Sequence, residues 1–259
     1  MVRAKKSLGQ NFLMHARIAE RIAMVAELSP SDSVFEIGPG TGMLTRELLK
    51  CAGKVIALEA DQELFEKLRV DFSEDIEKGR LELIYGDIRT FDPGLLPKGY
   101  ALVANIPYYL TGEIFRMFLE AENQPVSMTL LVQKEVAERI AQQKKESILS
   151  LSVKAYGTPK REFIVPSGAF VPAPKVDSAV LTVRNISKRN FKTHAAEDRF
   201  FAIVRAGFAH KRKFVVKNLT EAGLFSEKMA SRLAAATVSL KARAEDLPLS
   251  VWIGLAHEE

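Results

Sequence analysis

The sequence predicts an α/β fold, a doubly wound and mostly parallel sheet with a small C-terminal helical domain. Three observations predict it. Short β-rich apolar runs recur with helical patterns between them; a glycine-rich turn closes the first of those runs; and from His194 onward the alternation gives way to helical patterns alone.

The strand candidates, in order, are "SVFEI" (Ser33 to Ile37), "KVIAL" (Lys54 to Leu58), "LELIY" (Leu81 to Tyr85), "ALVAN" (Ala101 to Asn105) and "MTLLVQ" (Met128 to Gln133). Between them "MLTRELLKC", "QELFEKLRVDF" and "EIFRMFLEA" place apolar residues three and four apart, the spacing of one helix face. After Val165 a Pro-stiffened loop, "PSGAFVPAPKVDSAVLTVR", feeds a last strand at Ala179 to Val183. The helical tail comprises "EDRFFAIVRAGF", "KFVVKNLTEAG" and "SEKMASRLAAA", with Gly223 as a stop between the last two. A boundary falls between Arg184 and Lys192, giving domains 1–188 and 189–259.

At 259 residues and 47% apolar composition the chain is expected to be globular and soluble. No run approaches the roughly 18 apolar residues of a membrane span, and "MVRAKKSLGQNFL" lacks the apolar core of a signal peptide, so the cytoplasm is expected. The single Cys51 forms no internal disulfide. The four histidines, His15, His194, His210 and His257, fall at no metal-ligand spacing, so no metal is expected.

Charge is uneven along the chain. Residues 1–183 carry 23 Lys and Arg against 24 Asp and Glu, whereas residues 184–259 carry 14 against 8. A smaller basic cluster, Arg3, Lys5, Lys6 and Arg17, precedes the first acid, Glu20. A lone basic run reads as a solvated face; two clusters on a balanced chain point to a polyanion partner, nucleic acid.

The first strand ends in "EIGPGTGMLT", with Gly38, Gly40 and Gly42 at the turn where doubly wound folds bind ligands. A dinucleotide fingerprint wants a third glycine at Met43, which counts against a pyrophosphate. Glu59 ends the second strand, placed to accept both hydroxyls of a ribose, and Asp87 follows the third, placed to accept from an adenine amine. Each alone reads equally as a cap or loop residue. Together they describe a nucleoside pocket without phosphate-binding cations, which suits S-adenosylmethionine better than NAD or ATP.

The fourth strand delivers "NIPYY" to the same edge. The Asn105 side-chain oxygen, helped by a backbone carbonyl near Ile106, is suited to accept from an exocyclic adenine amine, whose ring-delocalised lone pair is otherwise a poor nucleophile. Pro107 stiffens the turn, and Tyr108 offers a face on which an extruded base stacks; stacking needs the ring and not the hydroxyl. Phe170, beside Pro172 and Pro174, reads from its neighbours as core. If Arg205 to Leu219 is helical, Lys211, Arg212, Lys213 and Lys217 lie within two turns.

With "KKSLGQNFL", "EIGPGTGMLT", "LEAD", "GDI", "NIPYYLT" and "FVPAPKVDSAVL" in this order, the chain resembles the ribosomal RNA adenine N6-dimethyltransferases, most closely their bacterial small-subunit branch. The resemblance implies a Rossmann-like methyltransferase sheet. It implies that Gln10, Asn11 and Leu13 close over S-adenosylmethionine, that Gly38, Gly40, Glu59, Asp87 and Asn105 bind it, and that Asn105 and Tyr108 hold the target adenine, with Phe170 approaching from the other face. Lys211, Arg212 and Lys213 would meet RNA. The implied partner is 16S rRNA within the 30S subunit or its precursor, with no membrane and a monomeric enzyme. Ile106 and Tyr109 replace the Leu and Asn more usual in this branch and match the large-subunit relatives that confer macrolide resistance. A large-subunit target and a non-catalytic assembly factor are therefore the competing readings; a DNA adenine methyltransferase would favour Asp at position 105.

Overall fold

The computed structural model describes residue 5 and residues 8–256, so Arg3, Lys6 and His257 lie outside the described residues. The chain divides into two compact units. One takes the residues up to Ala137 and Thr158–Ile186; the other takes Glu138–Gly157 and the residues from Ser187 on.

Alternating strands and helices build the first unit. Its chain order is β1 (Phe12–Leu13), α1 (Ala16–Val25), β2 (Ser33–Ile37), α2 (Met43–Cys51), β3 (Lys54–Glu59), α3 (Gln62–Asp71), α4 (Ser73–Glu77) and β4 (Leu81–Tyr85). There follow β5 (Ala101–Asn105), α5 (Thr111–Glu120), β6 (Ser127–Gln133), the first half of α6 (Lys134–Ala141), whose residues from Glu138 on belong to the other unit, and then β7 (Thr158–Val165), β8 (Phe170–Val171) and β9 (Ser178–Arg184). Seven strands form one sheet in the order β4-β3-β2-β5-β6-β9-β7. The first five run parallel, and β9 is antiparallel to both its neighbours.

Burial on both faces explains the largely apolar runs of β2, β3, β5 and β6, interrupted inside by Glu36 and Thr129. The edge strand β7 has a different pattern: Thr158, Lys160 and Ile164 are exposed, and Pro159 and charged side chains keep its free edge from pairing with another chain. That polar pattern is why no strand was expected there.

Strand order reverses between β2 and β5. Ile37 pairs with Ala104, so the chain leaves the sheet at Gly38 and at Asn105 side by side, opening a crevice at the carboxyl edge. The short β1 pairs antiparallel with β8, in register Phe12 to Val171 and Leu13 to Phe170.

The second unit contains α7 (Ile148–Tyr156), α8 (His194–Gly207), α9 (Val215–Glu221), α10 (Glu227–Ala235) and α11 (Leu249–Ala256). The inclusion of 138–157 corrects the expected division at 188/189, and aromatic packing is the reason. Tyr156 stacks on Phe201 at 6.1 Å between ring centres and meets Phe191 edge-on at 5.4 Å, while its hydroxyl bonds the buried Glu197. Glu197 also pairs with Lys188 (3.3 Å) and His194 (3.2 Å), so this buried acid does not stand alone. Gly223 does stop α9, with φ of +69° and its N–H on the Thr220 carbonyl at 3.0 Å.

Trp252 is fully buried, stacked on Phe208 at 5.6 Å, with its indole N–H donating to the Leu247 carbonyl at 3.2 Å. A Cβ added to Gly207 would lie 2.3 Å from the Trp252 ring. Gly207→Ala is therefore expected to destabilise the chain by about 1–3 kcal/mol through overpacking, seen as a lower midpoint in denaturant with an unchanged slope. An unaltered midpoint would refute this packing.

Candidate active site

A cleft of about 1060 Å³, counting its solvent-filled mouth, lies where β2, β3 and β5 end. It is lined by Gln10, Asn11 and Leu13 from the N-terminal arm, by Gly38, Gly40, Glu59 and Asp87, and by Asn105 and Tyr108. Residues nearly a hundred positions apart in sequence meet here.

Gly38 and Gly40 both adopt the left-handed backbone, with φ of +65° and +59°. A Cβ at Gly38 would meet nothing within 4 Å, whereas one at Gly40 would sit 3.2 Å from the Phe12 ring. The first glycine serves the turn itself; the second also makes room for the arm.

Glu59 is buried, and each of its oxygens already accepts a backbone N–H, Oε2 from Gly40 (3.0 Å) and Oε1 from Asp61 (2.9 Å). Burial raises its pKa, partly offset by these two bonds. The carboxylate thus ties the glycine loop to β3 as well as facing the cleft, with a second lone pair on each oxygen for hydroxyl donors. Asp87 is gripped by Arg89, whose Nε lies 3.1 Å from both oxygens and whose Nη2 lies 2.5 Å from Oδ2. That pairing holds the Asp87 carboxyl below its ordinary value. Arg89 also lines the cleft, but its charge is spent on Asp87 rather than offered to a phosphate.

Asp61, also buried, fastens the arm: it receives Lys5 Nζ at 2.6 Å and Gln10 Nε2 at 3.2 Å, while capping α3 through the Glu63 N–H at 3.1 Å. Asn105 joins from the other side, its Nδ2 donating to the Asn11 carbonyl at 3.1 Å. One amide N–H is thereby committed to the arm, which fixes the amide plane and leaves Oδ1 to act as an acceptor.

Phe170 departs from its expected placement. It is 2% exposed and packed in the main core beside Leu13 and Val165, and it does not line the cleft. The β1–β8 pairing covers it, so the core reading from its proline neighbours describes its position better than a face offered to a base. Lys211, Arg212 and Lys213 belong to the second unit and are not helical; they occupy the turn between α8 and α9. Lys211 and Arg212 are exposed, while Lys213 pairs with Glu221 at 2.9 Å.

The sequence analysis missed Glu36. It stands in the middle of buried β2, 1% exposed, with Oε2 lacking a hydrogen-bond partner, and it lines the cleft. Burial pushes its pKa up to about 8. An acid inside an apolar strand was the signal that could have found it, because such a group needs a partner. A buried acid for an ammonium, Glu59 for ribose hydroxyls and Asp87 for an amine fit S-adenosylmethionine, an amino acid joined to a nucleoside without phosphate.

Sheet, switch point and donor set together describe a pocket suited to this nucleoside donor. The sequence pattern of the family described as ribosomal RNA adenine dimethylase matches residues 1–257, and the chain belongs to that family. It is 40% identical over 264 residues to ribosomal RNA small subunit methyltransferase A of Dehalococcoides mccartyi, covering 99% of this chain and 89% of that one. The protein of the same name from Fusobacterium nucleatum is 35% identical over 255 residues, 97% and 96% of the two chains. Among solved structures, the 23S rRNA methyltransferase ErmE superposes with a TM-score of 0.78 at 29% identity, covering 95% of this chain and 98% of its own.

Glu36 keeps its proton up to about pH 8 in the free chain and must lose it to pair with an ammonium. Donor affinity is therefore expected to rise with pH up to about 8 and then level. Folding raises this pKa from 4.5, so the protein takes up a proton on folding between the two values and loses stability as pH rises through that window. Glu36→Gln should flatten the affinity profile, weaken binding, and make the donor-free chain more stable than wild type at pH 8. Calorimetric titrations and unfolding curves from pH 5 to 9 check both, and an unchanged affinity profile in the variant would remove Glu36 from the donor site.

Proposed function

We propose that this chain transfers methyl groups from S-adenosylmethionine to N6 of two adjacent adenosines in a 3′-terminal hairpin loop of 16S rRNA. It acts as a cytoplasmic monomer on the 30S subunit or its precursor, late in ribosome assembly. The observation that carries the reading is the placement of Asn105 and Tyr108 on the same cleft as Glu36, Glu59 and Asp87. The relatives named for the small subunit, at 35% and 40% identity, support that target over the large subunit, whose solved enzyme is 29% identical.

Bound S-adenosylmethionine supplies an electrophilic methyl on a sulfonium. Glu36 would hold its ammonium, Glu59 the ribose hydroxyls and Asp87 the adenine amine. The target adenine would stack on Tyr108 and donate an N6 hydrogen to Asn105 Oδ1, which orients the nitrogen lone pair for attack. No strong base is needed, because the amine becomes acidic only as it is alkylated. The rate gain comes from holding two reactants in line.

Labelled donor offered with unmethylated 30S and 50S subunits separately, followed by mapping of the modified base, tests the assignment. Label on 50S alone would favour the large-subunit reading. Asn105→Ala is expected to cut methyl transfer by at least about 100-fold with donor and RNA affinity within a few fold, the size of loss typical of a misplaced reactant. Near-normal single-turnover rates in this variant would dismiss the amine-orienting role.

The basic turn of the second unit is assigned to the RNA backbone, where it sets affinity more than base choice. Replacing Lys211 and Arg212 by Gln should flatten the salt dependence of 30S binding by about two units if both meet phosphates. Lys213→Gln should add less, because Glu221 already neutralises that charge. Titrations at several salt concentrations read the slope directly, and no change in the double variant would move the footprint elsewhere.

A further inference from the structure

The hydroxyl of Tyr108 shares a hydrogen bond of 2.6 Å with Ser178 Oγ. A stacking platform has no use for that hydroxyl, so its placement asks for another explanation. Ser178 is fully buried at the start of β9, paired on one side with Gln133 of β6 and on the other with Val165 of β7. The residue before it is fixed as well. The Asp177 carbonyl accepts the Lys134 N–H at 3.0 Å, and its side chain accepts the Ser167 N–H at 3.0 Å. Ser178 is therefore a point on the rigid sheet.

Tyr108 sits in a single 3-10 turn, Tyr108–Leu110, between β5 and α5. Its carbonyl accepts the Thr111 hydroxyl at 2.9 Å, which fixes the backbone end of the residue. Two side-chain torsions still separate that backbone from the ring. The bond to Ser178 removes this freedom at the far end. Burial pushes the phenol above its ordinary value, partly opposed by the Ser178 bond, so the hydroxyl is neutral at working pH.

We infer that Ser178 is a positioning residue: by holding the Tyr108 hydroxyl it sets the tilt of the ring on which the target adenine stacks. The "KVDSAV" run, which leads into strand β9 at the antiparallel end of the sheet, thereby enters the reaction without touching substrate. This inference rests on the methyl-transfer reading above, and it reverses the expectation that the hydroxyl of Tyr108 is dispensable.

A double-mutant cycle on the full chain tests it, with unmethylated 30S particles and labelled S-adenosylmethionine. Ser178→Ala and Tyr108→Phe are each expected to lower kcat about tenfold or more while KM for 30S and donor affinity stay within about twofold. The double variant should be no slower than the slower single one, because both remove the same bond. Ser178→Thr, which keeps a hydroxyl, should recover most of the rate. Losses that multiply, or a wild-type kcat in either single variant, overturn the inference. Should Ser178→Ala fail to fold, Tyr108→Phe breaks the same bond without altering the sheet, and its kcat decides alone. A wild-type chain that leaves 30S unmethylated overturns the reading of the site itself, and this inference with it.

Discussion

Parallel pairing of β2 with β5 is the constraint on which the rest of the site depends. Because Ile37 lies beside Ala104, the two chains diverge at neighbouring points and on opposite faces of the sheet. Everything that reads as chemistry in this protein is arranged around the gap they leave, from the glycine turn after β2 to the amide and tyrosine after β5. The acids on β2 and after β3 and β4 face it from the same edge.

The acids do not simply wait for a ligand. Glu59 binds the loop it faces, Asp87 is held by Arg89, and Asp61 fastens the arm while starting a helix. Each is stabilised by partners that a buried or half-buried charge requires. Glu36 is the exception, with an orphaned oxygen and a raised pKa. The acid with the least internal support is the one to which the proposed function assigns an external partner.

Much of this was legible in the sequence. The five parallel strands were visible because strands buried on both faces are largely apolar runs, and the glycines, Glu59, Asp87 and Asn105 lie at one edge of them. The edge strand β7 was not visible, since its exposed position selects Lys, Arg and Pro over a strand-like pattern. Nor was the transfer of 138–157 to the second unit, which depends on a contact between Tyr156 and Glu197 forty-one positions apart. Lys211 to Lys213 would share two turns with Lys217 only if Arg205 to Leu219 were helical throughout, but α8 ends at Gly207 and α9 begins at Val215. Phe170 was legible as core from its proline neighbours, but its pairing with the arm through Leu13 is a long-range contact that the local pattern does not record.

The fastening of the arm to Asp61 bears on timing. Each methyl placed on an adenine consumes one donor molecule, so dimethylation requires the spent donor to leave and a fresh one to enter. Gln10, Asn11 and Leu13 line the cleft through which that exchange passes, and they are secured by two side chains on one carboxylate and by a two-residue strand pair. In the proposed reaction, the arm that a lysine and a glutamine hold to Asp61 is the wall past which spent and fresh donor would exchange, although neither side chain takes part in the chemistry.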